Sequence, residues 1–133
     1  MSQSPATRAR PLSPHLTVYR FPVPVVMSIV HRITGGALYF GTLLVALWLI
    51  AAATSVDLFN TVNAVYGSWI GRLVLFGYTW ALMFHMLGGI RHLIWDTGRG
   101  FDLKLVELMA RANLVGSIVI TLLLWIIGYG AMS

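Results

Sequence analysis

Three long stretches of this chain contain no Asp, Glu, Lys or Arg: Ile33–Val56, Leu73–Ile90 and Ala112–Ser133. A helix needs about 20 mostly apolar residues to cross the hydrocarbon of a bilayer. Backbone polar groups find no water there and must satisfy one another. The pattern predicts an all-α membrane protein with three transmembrane helices, near residues 28–53, 66–93 and 108–131. Residues 28–133 then form one transmembrane domain, preceded by an arm over 1–27. Only 10% of the 133 residues are charged, against about 25% in soluble domains. The absence of cysteine excludes disulfides, thiolate-bound zinc and cluster ligation by this chain.

The placement of charge predicts orientation. Arg8, Arg10, Arg20 and Arg32 precede or open the first span, and Arg91, Arg99, Lys104 and Arg111 surround the second connection. The first connection, Thr54–Tyr66, carries only Asp57, and Arg72 is the one basic residue of nine on that side. The positive-inside rule therefore puts the N-terminus and the Arg91–Arg111 region in the cytoplasm. Tyr66, Trp69 and Tyr129 suit the outer interface, and Tyr19 and Trp95 the inner one. Trp48, Trp80 and Trp125 fall inside spans and need packing partners. Pro5, Pro11, Pro14, Pro22 and Pro24 resist a continuous helix in the arm. The arm has no apolar signal core; it is expected to lie on the membrane or on a partner.

Of four histidines, His85 falls inside a charge-free run, about 8 Å from its cytoplasmic end. A polar residue there is costly and faces protein or a bound group rather than lipid. Gly88 and Gly89 follow at i+3 and i+4, which leaves room on that face for something flat and bulky. His92, at i+7, lies about 10 Å further along the axis. That is too far for both rings to hold one metal, but it suits an acidic edge of the same bound object, as does Arg91. Haem has these properties: a flat macrocycle, an iron that takes an axial imidazole, and propionates that seek positive charge. No other histidine is expected deep in a span, so a second axial ligand must come from another chain. Alternatively, His85 is hydrogen-bonded to a neighbouring helix and the glycines are packing sites.

Ser28, His31 and Arg32 share one face at the start of the first span. A serine hydroxyl and a permanently charged guanidinium at the rim of an apolar groove suit a quinone head group. The alternative makes Arg32 a snorkelling anchor and Ser28 an N-cap. Gly67 and Gly71, with Gly36 and Gly41, mark expected sites of close helix approach. Asn113 and Ser117 are expected to serve scaffold and partner packing.

The stretches RPLSPHLTVYRFPVPVVMSIVHRITG (Arg10–Gly35) and HMLGGIRHLIWDTG (His85–Gly98) resemble two signatures of the cytochrome b subunit of succinate dehydrogenase. This family is the larger membrane anchor of respiratory complex II. S-x-x-H-R-x-[ST]-G and H-x-x-x-G-I-R-H-x-x-x-D both match in full, in order, within three spans. The resemblance implies a helix bundle formed with a second anchor subunit, and one haem b shared between them with His85 as this chain's iron ligand. It implies a ubiquinone site that includes Ser28 and Arg32, with His31 near both groups and Arg91 and His92 toward the propionates. It implies an iron–sulfur subunit and a flavoprotein subunit as partners, which carry the clusters and the FAD. This chain alone then oxidises no succinate, and no nucleic-acid partner is expected. The motif starting so soon after Met1 points to a bacterial inner membrane rather than a mitochondrial one. His15 is expected to be structural. A menaquinol-using fumarate reductase anchor and a small non-redox membrane subunit are the alternatives.

Overall fold

The computed structural model describes residues 20–131. His15, Tyr19, Arg8 and Arg10 lie outside the described residues. Four helices follow in order: α1 Val23–Thr54, α2 Val56–Gly67, α3 Trp69–Asp96 and α4 Leu103–Ala131. α1, α3 and α4 are long and apolar enough to cross a membrane.

Each span differs from its expected bounds for a local reason. α1 starts five residues before Ser28, because Pro22 is the N-cap and Pro24 sits in the first turn. A missing N–H costs nothing there, and the fixed φ of proline suits the helix. Pro22 and Pro24 thus open a helix rather than prevent one, and Ser28 is not its cap. α4 starts at Leu103 because the Asp102 carboxylate accepts from the backbone N–H groups of Lys104 (3.0 Å) and Leu105 (3.2 Å). That carboxylate also complements the positive end of the helix dipole. Between α3 and α4, Gly98 (φ 76°) and Gly100 (φ 82°) take backbone conformations that other residues adopt poorly.

The expected first connection is itself a helix. Ser55 caps α2 through the N–H of Leu58, and Asp57 lies in the first turn. Phe59, Val62 and Tyr66 recur at 3.6-residue spacing and form its covered side. Tyr66 donates to the Leu44 carbonyl of α1 at 2.8 Å, and the Trp48 indole donates to Asn63 at 3.0 Å. α2 is therefore pinned against the C-terminal half of α1. Ser68 ends this segment and caps α3 through the Gly71 N–H at 3.1 Å. A Cβ on Gly71 would collide with the Val65 and Tyr66 carbonyls, whereas one on Gly67 would meet nothing. The Gly67/Gly71 spacing therefore serves this bend, not the approach of two helices.

The three spans pack through narrow stripes. α3 buries Ala81, Phe84, Gly88 and Arg91, and α4 buries Ala110, Asn113, Ser117 and Thr121. The Ser117 and Thr121 hydroxyls donate to carbonyls of their own helix, Leu114 and Ser117. They thus present small, satisfied surfaces that let helices approach in lipid. Phe84, fully buried, packs with Met27 and Ala110 at the core, beside Trp80 and Leu114. The Trp125 indole donates to Thr79 at 3.3 Å. Gly41 accommodates the Tyr78 ring, where a Cβ would overlap it, while Gly36 faces open space.

Candidate functional site

α1 and α3 run antiparallel, and their contact near His31 builds the site. His85 lies at Gly35, whose Cβ, if present, would be 3.0 Å from the His85 ring. His31 lies against Gly88, where a Cβ would overlap its ring. The two imidazoles stack at 3.9 Å between centroids and 5° between planes. This corrects the expectation that no second histidine reaches the depth of His85. Because α1 begins at Val23, His31 is two turns inside a helix rather than at its mouth.

His85 is held through one nitrogen. Its Nδ1 is 3.2 Å from the His31 carbonyl oxygen and 3.5 Å from the Thr34 hydroxyl. The carbonyl is an acceptor only. The Thr34 hydroxyl already donates to that same carbonyl at 2.9 Å. Both neighbours therefore ask Nδ1 for a proton, which leaves the lone pair on Nε2. A metal binds imidazole in the ring plane, so the His31 stack on the ring face does not block Nε2. Thr34 was not among the expected site residues, although it is the [ST] of S-x-x-H-R-x-[ST]-G, one turn from His31.

Gly88 and Gly89 have separate roles. Gly88 is filled by His31, whereas a side chain on Gly89 would meet nothing within 4 Å. His85, Gly89 and His92 share one face of α3 at i, i+4 and i+7, so the open cradle is at Gly89. The residues present fit an axially bound haem: an imidazole with its lone pair free, beside a bare stretch of backbone. The His92 ring lies 5.4 Å from His31 and 5.3 Å from Trp95. Among the described residues, no group of three or more His, Cys, Asp or Glu is arranged to hold a bare metal ion.

Ser28 and Arg32 lie on the neighbouring ridge of α1. Arg32 Nη2 donates to Ser28 Oγ at 3.4 Å, and the arginine is exposed. Gly35 continues this ridge at i+7 from Ser28, so Arg32 is one turn from the His85 ring along α1. Arg91 faces α4, although its charge still reaches the His31 ring. It belongs to the buried stripe of α3, its Cζ lies 4.9 Å over the Trp95 ring, and it lines a groove with Asn113 of α4.

Three membrane-crossing helices around a stacked imidazole pair define a membrane subunit with a histidine site inside its spans. Residues 6–124 match the family described as succinate dehydrogenase/fumarate reductase transmembrane subunit, and the chain belongs to that family. It is 44% identical over 118 residues to the succinate dehydrogenase cytochrome b556 subunit of Paracoccus denitrificans, covering 89% of this chain and 91% of that one. The protein of the same name from Rickettsia felis is 38% identical over 117 residues, with coverage of 88% and 91%. The mitochondrial succinate dehydrogenase cytochrome b560 subunit of Sus scrofa is 40% identical over 98 residues, covering 71% of this chain and 57% of that one.

Proposed function

We propose that this chain is a haem b-binding membrane anchor of a succinate:ubiquinone oxidoreductase and forms part of its quinone-reduction site. It partners a second anchor subunit, an iron–sulfur subunit and a flavoprotein subunit. The observation that carries this reading is the Nδ1 contact of His85 with the His31 carbonyl. A hydrogen bond from the distal nitrogen to a backbone carbonyl fixes ring orientation and raises the basicity of a metal-binding imidazole. His85 Nε2 would hold the haem iron, with a further ligand from the other anchor. When bound, the haem supplies a one-electron redox centre. His92 and His31, nearer the basic end of the bundle, would hold its carboxylate edge.

The chain's own residues also prepare the quinone site. Arg32 places a permanent positive charge where a quinone oxygen gains electron density. Ser28, coupled to Arg32 one turn away, orients the same head group through its hydroxyl. The basic end of the bundle faces the cytoplasm by its charge distribution, so protons reach the quinone from that side. The succinate dehydrogenase names of the relatives, two of them bacterial, support the bacterial cytoplasmic membrane as its location.

The test is made on the purified complex. A reducible b-type absorption spectrum is expected, with loss or a spin-state change in His85→Ala. An unchanged bis-imidazole spectrum in that variant removes His85 as ligand. Arg32→Leu should slow quinone reduction by roughly 10²-fold, the scale for losing one charge-stabilising donor. Succinate oxidation by an artificial acceptor upstream of quinone should persist. Equal loss of both activities would mean failed assembly and refute the assignment of Arg32.

A further inference from the structure

Arg91 of α3 and Asn113 of α4 line one groove between those helices, and each is only 4% exposed. Nε and Nη1 of Arg91, and both Nδ2 and Oδ1 of Asn113, lack hydrogen-bond partners. The two residues line a groove of about 170 Å³ with Ile90, Ile94 and Met109. A guanidinium does not shed its proton, so its charge must be met rather than avoided. Among the described residues, the one ion pair is Arg111–Glu107 at 2.6 Å, and the Asp102 carboxylate caps α4. Trp95 covers one face of the guanidinium but offers no in-plane acceptor. Bridging water would satisfy hydrogen bonds and leave the charge uncompensated in an apolar medium.

The place of the groove selects the anion. Ile90 and Ile94 on its rim are 48% and 40% exposed, so it opens on the flank of the helix bundle. The Arg91 side chain extends toward Trp95, one turn nearer the end of α3. That is the snorkelling direction, which brings its charge to headgroup depth. Lys104 and Arg111 at the same end of α4 are balanced by Asp102 and Glu107, which leaves Arg91 as the charge that selects an anion. The geometry points to a phospholipid site: Arg91 and the Asn113 amide take the phosphate of an anionic lipid whose acyl chain lies along Ile90, Ile94 and Met109. Basic pockets between transmembrane helices are suited to such headgroups, and methionine adapts to a chain of variable shape.

The test uses the complex purified in mild detergent and stripped by prolonged washing, then titrated with dioleoyl phosphatidylglycerol or inorganic phosphate. Bound phosphorus and the thermal midpoint are read together. Saturable binding of one phosphatidylglycerol per chain, with a rise in midpoint, is expected. Arg91→Gln and Asn113→Leu should each weaken it by about tenfold. Arg91→Lys should retain most of it, and Arg111→Gln should leave it unchanged. If Arg91→Gln fails to assemble, Asn113→Leu decides. Equal lipid binding in wild type and Asn113→Leu overturns the proposal. So does stabilisation by inorganic phosphate alone, which would mean a free-anion site. A changed b-type spectrum in Arg91→Gln with unchanged lipid binding also overturns it and assigns Arg91 to the haem carboxylates.

Discussion

Replacing Gly88 with alanine adds one methyl group where the His31 ring of α1 lies against the backbone of α3. The new carbon would stand 2.7 Å from His31 Cε1 and closer still to Nδ1. Favourable carbon contacts begin near about 3.5 Å, so the ring must move. One face of it is already occupied by His85, with centroids 3.9 Å apart, so moving the ring opens that stack. Overpacking of this kind costs about 1–3 kcal/mol, and the lost ring pair about 0.5–1.5 kcal/mol. The better helix propensity of alanine offsets about 1 kcal/mol. The net destabilisation is then about 2 kcal/mol, a factor of about 30 in the folded-to-unfolded ratio. Reversible unfolding in mixed micelles measures it, with Gly89→Ala as the comparison. A Cβ on Gly89 meets nothing within 4 Å, so that variant should be more stable than the wild type by about 1 kcal/mol, the helix-propensity gain alone. Finding Gly88→Ala as stable as Gly89→Ala would mean that α3 is rotated away from this register and that the site geometry is wrong.

Thr34→Val removes the hydroxyl near His85 Nδ1 and leaves only the His31 carbonyl. Haem retention during dialysis should fall by about 10-fold with little change in helix content by circular dichroism. Tyr66→Phe deletes the 2.8 Å bond to the Leu44 carbonyl and should lower stability by about 1 kcal/mol. Asn63→Leu removes the partner of the Trp48 indole, so its tryptophan emission should change while the His85 site is unaffected.

Particular residues show how much of the molecule was readable from its pattern. The three spans follow from runs that contain no charge, because lipid penalises an unpaired charge wherever it occurs in the fold. The grouping of Ser28 with Arg32 follows from helical spacing, which is a local property. α2 was less visible: its apolar residues Phe59, Val62 and Tyr66 bury only because Leu44 and Trp48 of α1 stand beside them. The Gly67/Gly71 spacing was misleading, since the same interval serves a helix dimer or a bend, and only the nearby Val65 and Tyr66 carbonyls distinguish the two.

The sequence by itself determined that this chain crosses a membrane three times and carries histidine at a depth where it needs a partner. Charge, hydropathy and periodicity act along the chain and need no knowledge of neighbours. Only the tertiary structure decided that His31 stacks on His85, that Thr34 and a carbonyl hold Nδ1, and that Gly88 is filled while Gly89 stays open. It also placed Arg91 and Asn113 in one groove between α3 and α4. The physical reason is register: antiparallel α1 and α3 can slide or rotate by one residue without changing either sequence pattern. Which side chains then meet depends on close contacts such as Gly41 with Tyr78 and Gly88 with His31.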